Sequence, residues 1–185
     1  MHRRLLAPFA ALERRKRDFL ARLCTLDDAQ LGFRPAPGSW SLVDVADHLS
    51  KIEAQVAAGI VKGLPPGKDR RTLKHAVMLP IVLFTLALPV RVKVPGNAGG
   101  VTPEPGRSLA GVRADWEAHR AALAAALGAL DDAGVERMVL RHPIAGPANA
   151  RQTLAFLNAH FDHHRFQVDR IRQHPGFPKA AAGAA

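Results

Sequence analysis

The chain has 185 residues, of which 48% are hydrophobic and 23% are charged, so a globular domain is expected and a disordered chain is excluded. Cys24 is the only cysteine, which excludes an intramolecular disulfide framework and a cysteine-rich zinc or iron–sulfur site. Lysine and arginine outnumber aspartate and glutamate by 26 to 16. The formal charge of +10 attracts anions, but it does not choose among nucleic acid, anionic lipid and acidic small molecules.

The first predicted helix covers residues 5–23, where apolar residues recur at three- and four-residue spacing. Arginines and Lys16 fill the gaps between them. This basic run is interpreted as a solvated helix face, with nucleic-acid contact as the less favoured alternative. Because charges interrupt the apolar residues, no signal peptide is recognised, and a cytoplasmic location is expected.

A second helix is predicted after residues 25–40, which are rich in turn-forming residues and predict a loop with one short helical turn. Ser41 is placed to cap this helix, and Asp44 stands three positions later, where a carboxylate serves the exposed amides. The helix is predicted to run to about residue 62.

Residues 64–106 are predicted to form a long, partly helical connector between the second and third helices. Prolines at 65, 66, 80, 89, 95, 103 and 105 predict no long helix here, although 73–79 and 81–88 can each make helical turns. The apolar stretch 76–90 falls short of the roughly 20 residues that span a bilayer. Its basic flanks suit interfacial membrane contact. Burial over one end of the bundle, or in a homodimer, is the favoured interpretation.

A third helix is predicted from Ser108 to about residue 130, turns over 131–149, and a fourth helix over 151–172. No strand alternation is recognised. The predicted fold is therefore an all-α four-helix bundle that forms a single domain over residues 1–175, followed by a flexible C-terminal tail over 176–185.

Two histidines on the fourth helix suggest a metal site. His160 and His164 are four residues apart, so at about 100° per residue they differ by only about 40° and share one face. Leu157 and Val168 lie on the same face, which predicts that both imidazoles point into the core. Unpaired buried imidazoles are costly, and a shared divalent metal would satisfy both.

The second helix offers a third inward imidazole. His48 falls on an apolar stripe, whereas Lys51 and Glu53 are predicted to turn away. If the second and fourth helices are neighbours, three nitrogens can hold one divalent ion, zinc or nickel, with an open position typical of a catalytic site. The alternative is a core histidine hydrogen-bonded to a carbonyl. The pair is not an HExxH motif, because Phe161 follows the first histidine.

Three further residues are candidates around this site. His163 lies about 60° from the metal face and is interpreted as a group at the rim of the site or in contact with a metal ligand. Gln167, close to His160 on the helical wheel, is predicted to bond a ligand or substrate, or to be a plain core amide. Asp44 lies one turn before His48, so it can orient that imidazole or act only as a cap.

Two separated segments resemble one known family. They are RPAPGSWSLVDVADHL at 34–49 and LAFLNAHFDHHRFQ at 154–167, with RHPIAG at 141–146 before the second. Together they resemble the DinB-like family of metal-binding four-helix bundles. By this resemblance His48, His160 and His164 correspond to the three metal ligands, and Trp40 and Ser41 have structural roles.

The resemblance also implies a function. The family is similar to bacterial thiol-dependent S-transferases and to a mycothiol-dependent maleylpyruvate isomerase. It implies a metal-dependent hydrolase or thiol S-transferase acting on a small molecule, either a low-molecular-weight thiol or the electrophile it detoxifies. The alternative is a non-enzymatic metal-containing binding or stress-response protein, with nucleic-acid contact through its basic first helix.

Overall fold

The computed structural model describes residues 1–90 and 100–180. In these ranges the chain forms helices and one short hairpin. The elements are α1 (Arg3–Leu23), α2 (Asp28–Gly32), α3 (Leu42–Lys62), α4 (Leu73–Leu86), α5 (Leu109–Gly128), α6 (Asp132–Glu136), β1 (Met138–His142), β2 (Gly146–Asn149) and α7 (Ala150–Arg172).

The four long helices α1, α3, α5 and α7 form the predicted bundle. Helix α3 packs against α5 and α7, and α1 packs against α7. Trp116 of α5 is fully buried, and its ring stacks 5.9 Å from that of Phe161 on α7. The all-α prediction is confirmed, and α3 and α7 are neighbours, as the proposed histidine site requires.

The starts of α3 and α7 are fixed by side-chain caps. The Ser41 hydroxyl accepts from the Asp44 amide, and the Asp44 carboxylate accepts from the Ser41 amide, as predicted. Asn149 and Gln152 form the same reciprocal pair at α7. Each reciprocal pair, known as a capping box, satisfies two amides that the first helical turn leaves without partners. Both histidine-bearing helices therefore begin at defined residues.

The interpretation of 131–149 as turns was incomplete, because these residues also form α6 and an antiparallel hairpin of β1 and β2. Gly146 begins β2 with a φ of 71°, and a Cβ there would collide with the His75 ring of α4. Both features favour glycine at this position. The strands are short and flanked by turn residues, so their sequence shows no period of two.

The connector contains one continuous helix, α4, rather than two separate turns. Pro80 lies inside α4 and removes one backbone hydrogen bond without ending the helix. The buried side chains of Leu79 and Leu86 and the packing of α4 on α7 and β2 stabilise it. In the part of the chain that the structure describes, no helix has both the length and the apolar character needed to cross a membrane. Residues 91–99 of the predicted connector lie outside the described residues.

The prediction that Glu53 turns away from the core was wrong. Its side chain is buried and accepts two hydrogen bonds from the Arg120 guanidinium of α5, at 2.7 and 2.5 Å. Arg120 also pairs with Glu13 of α1 at 2.5 Å. A charge can be buried where it is paired and hydrogen-bonded, so this ion cluster joins three helices inside the bundle.

The predicted tail begins with residues that contact the bundle. The Phe177 ring packs edge-on against Phe33 at 5.5 Å, and Gln30 of α2 donates to the Pro178 carbonyl. These contacts tie residues 177 and 178 to the α2 region. Residues 181–185 of the predicted tail lie outside the described residues.

Candidate metal centre

The structure brings His48, His160 and His164 together between α3 and α7. The Nε2 atom of His160 lies 3.4 Å from Nε2 of His48 and 3.0 Å from Nε2 of His164. One nitrogen from each of the three side chains lies within 4.8 Å of the other two. The four-residue spacing on α7 sets two of the rings edge to face, with their centres 4.4 Å apart, and the α3–α7 contact supplies the third ring.

Hydrogen bonds to the outer nitrogens define how two of these rings are protonated. The Val101 carbonyl accepts from Nδ1 of His48, and the Gln167 side-chain oxygen accepts from Nδ1 of His164, both at 2.8 Å. A neutral imidazole carries one proton. Because both Nδ1 atoms donate, the Nε2 lone pairs of His48 and His164 point toward His160.

The nitrogens at the centre of the cluster cannot all be satisfied by hydrogen bonds to one another. A proton on Nε2 of His160 can be donated to only one of the two facing lone pairs. The Nδ1 atom of His160 is buried and has no hydrogen-bond partner among the described residues. With the His160 proton on Nδ1 instead, three nitrogen lone pairs converge, and this is what a divalent cation such as zinc accepts, so the three histidines could hold a metal ion.

Burial keeps the three imidazoles neutral. It lowers the pKa of His164 to about 3, with the neighbouring His48 adding to the effect. Burial also lowers the pKa of His160 well below its ordinary value, and His164 and His48 lower it further. The pKa of His48 is lowered by burial despite the opposing bond to Val101. A metal binds the neutral imidazole, so this environment favours coordination at neutral pH.

The end of the connector holds the Val101 carbonyl in place. The buried carboxylate of Asp47 accepts from the Glu104 amide at 2.8 Å and pairs with Lys51 at 3.0 Å. The Lys51 ammonium donates to the Thr102 carbonyl at 3.1 Å and pairs with Glu104 at 2.9 Å. Sequence reasoning missed this support, because no local pattern relates His48 to a carbonyl 53 residues later.

Replacing Asp47 with alanine is expected to lower divalent-metal affinity about tenfold, the lower end of the range for residues that orient ligands. The substitution removes the acceptor of the Glu104 amide and so loosens the segment that bonds His48. Metal affinity should be measured by competition with a chelator. Asp18→Ala is the matched control, because that carboxylate forms an exposed ion pair with Arg17 within α1. Equal affinity in Asp47→Ala and wild type would contradict this prediction.

The other predicted site residues occupy different positions. Gln167 contacts His164, as described above. The Asp44 carboxylate bonds the Ser41 amide and lies 2.6 Å from the Arg34 guanidinium, whereas Nδ1 of His48 is bonded to Val101. These contacts are those of a cap, the second of the two roles considered for Asp44.

His163 is buried beside the site. Its ring centre lies 5.3 Å from that of His164, and its Nδ1 has no hydrogen-bond partner among the described residues. Burial lowers its pKa, and the nearby Arg170 adds to this. The His163 ring therefore packs against a member of the cluster without joining the three convergent nitrogens.

Aromatic rings cover the cluster on two sides. The Trp40 ring lies 4.8 Å from that of His48 and stacks 6.0 Å from that of His164. The Phe156 ring stacks 5.4 Å from that of His160. Trp40 also lines a small cavity with Arg34. The histidines thus lie in an apolar environment that strengthens electrostatic interactions.

Comparison with known proteins gives one match. A family model described as the DinB superfamily matches residues 11–168, which include the four long helices over most of their length and all three histidines. No curated protein and no solved structure matches the chain.

Proposed function

The chain belongs to the DinB superfamily, and on that basis we propose that it is a metal-dependent enzyme acting on a small molecule. His48, His160 and His164 hold one divalent ion, zinc or nickel, and the reaction is hydrolysis or thiol-dependent S-transfer. The observation that carries the proposal is the convergence of three Nε2 atoms, two of them with lone pairs directed inward by bonds to Val101 and Gln167.

The donor set supports catalysis over a purely structural metal. Structural zinc sites are usually closed by four protein ligands, whereas catalytic sites use three and leave a position for water or substrate. When bound, the ion would supply Lewis-acid activation of water or of a thiol near neutral pH.

The chain's own residues hold the site in a defined geometry. Gln167 and Val101 fix the orientation of His164 and His48 by accepting their Nδ1 protons. Trp40 and Phe156 pack on the rings and limit the access of bulk water. Because the buried imidazoles are already neutral, they can bind a metal ion without first losing a proton.

The substrate class follows from the family and from charge. A low-molecular-weight thiol, or an electrophile that such a thiol attacks, is the substrate that the family resemblance implies. The formal charge of +10 favours an acidic molecule.

The decisive experiment is turnover by the metal-loaded protein. Purified protein with zinc or nickel should be assayed with acidic low-molecular-weight thiols and model electrophiles, and with model esters for hydrolysis. We expect turnover in the wild type and its loss in His164→Ala, while Asp115→Ala, which changes an exposed ion pair, stays active. Metal-loaded wild-type protein with no turnover in either assay would contradict an enzymatic role.

A further inference from the structure

Helix α4 is apolar on two opposite faces. Its inward face carries Leu79 and Leu86, which are buried against the bundle. At about 100° per residue, a second apolar stripe lies on the other side of the helix. This outward stripe consists of Leu73, Val77, Ile81 and Phe84.

The outward stripe is open to solvent. Leu73 is 83% exposed, Phe84 68%, Val77 55% and Ile81 48%. Leu88 and Val90, just beyond the helix, are also exposed. Single exposed apolar side chains are ordinary, but a contiguous row of large ones marks an interaction surface.

Basic residues lie at the amino end of the stripe. Lys68, Arg70 and Lys74 are exposed at the amino end of α4, and none has a carboxylate partner at salt-bridge distance in the described parts of the chain. The exposed Asp69 between them accepts from the Gly67 amide, so the three cations and this carboxylate leave a net positive charge. In sequence, Arg91 and Lys93 follow the stripe, in the range whose structure is not described. No acidic residue occurs between Asp69 and Glu104. The apolar row therefore lies in a segment of one charge sign.

Charge complementarity selects the occupant of this surface. A second copy of the chain, related by a two-fold axis through α4, would bring two basic, acid-free segments together, and like charges at an interface oppose association. An anionic bilayer offers the opposite charge at its surface and an apolar layer just beneath it.

We propose that the outward face of α4 docks on an anionic lipid bilayer. Leu73, Val77, Ile81 and Phe84 enter the boundary between headgroups and acyl chains, and Lys68, Arg70 and Lys74 contact lipid phosphates. The helix lies in the plane of the membrane surface, as interfacial helices with apolar and basic sides do. Because α4 packs on α7 and β2, the bundle remains on the water side.

Vesicle co-sedimentation tests this surface. The full chain should bind vesicles of phosphatidylcholine mixed with phosphatidylglycerol and not vesicles of phosphatidylcholine alone, and added salt should weaken binding. Phe84→Glu should reduce binding at least tenfold, because it places a charge among the inserted side chains. Lys74→Gln should reduce it about fivefold, the contribution of one basic residue near an anionic surface.

Leu6→Glu is the matched control, because Leu6 is 53% exposed on α1, away from this face. It should bind anionic vesicles as the wild type does. In a Phe84→Trp variant, the tryptophan fluorescence added to that of the wild type should shift to shorter wavelength when anionic vesicles are present, because the new side chain enters an apolar layer.

Three outcomes would overturn the proposal. The first is no binding to anionic vesicles. The second is salt-sensitive binding that Phe84→Glu leaves unchanged, which indicates charge attraction without insertion. The third is a wild-type protein that does not bind vesicles and is a dimer in light scattering, with Phe84→Glu a monomer. That result would assign the face to a second copy of the chain.

Discussion

Replacing His160 with alanine is expected to abolish stoichiometric metal binding. Its Nε2 is close to both other nitrogens, at 3.4 Å from His48 and 3.0 Å from His164, so its loss leaves only two of the three convergent ligands. Outer partners of ligands contribute 10- to 100-fold to metal affinity, and removing a ligand itself should cost more than that. Elemental analysis after dialysis should find about one zinc or nickel per wild-type chain and almost none in the variant.

The same measurement on neighbouring residues makes the test specific. His48→Ala and His164→Ala should also lose the metal. His163→Ala is the matched control, since His163 is buried on the same helix but does not contribute one of the convergent nitrogens. Far-UV circular dichroism should confirm that each variant keeps its helices. Unchanged stoichiometry in all three ligand variants would reject the site.

The sequence was sufficient for the parts of the site that depend on helical periodicity. The spacing of His160 and His164 placed both on one face of α7, and the apolar stripe around His48 placed it inward on α3. Ser41 and Asp44 marked the helix start because a capping box is a local motif. Each of these inferences needs only residues within a few turns of one another.

The parts that sequence could not supply depend on distant partners. Glu53 is inward only because Arg120 of another helix neutralises it. Val101 orients His48 through a backbone carbonyl, which every residue has, so its side chain gives no signal. Helix α4 continues past Pro80 because packing on α7 offsets one lost hydrogen bond. In each case tertiary contacts outweigh a local preference.

The metal-free protein is expected to lose stability as the pH falls from 7 to 5. Burial lowers the pKa of His48, His160 and His164 from the ordinary value of 6.5, reaching about 3 for His164. Below pH 6.5 the unfolded chain therefore binds protons that the folded chain excludes, and the free energy of unfolding falls as the pH falls. His164, whose pKa in the folded protein is about 3, contributes up to about 1.4 kcal/mol per pH unit below pH 6.5, and His160 and His48 add to the loss in the same direction.

Urea denaturation of the metal-free protein at pH 7, 6 and 5, followed by circular dichroism, measures this slope. Because a typical domain is stabilised by only roughly 5–15 kcal/mol, a loss on this scale should shift the urea midpoint measurably. In His164→Gln the slope should fall by up to about 1.4 kcal/mol per pH unit, because one proton-excluding group is gone while the helix is kept. If wild type and His164→Gln share the same slope, the His164 imidazole is not held neutral in the folded protein.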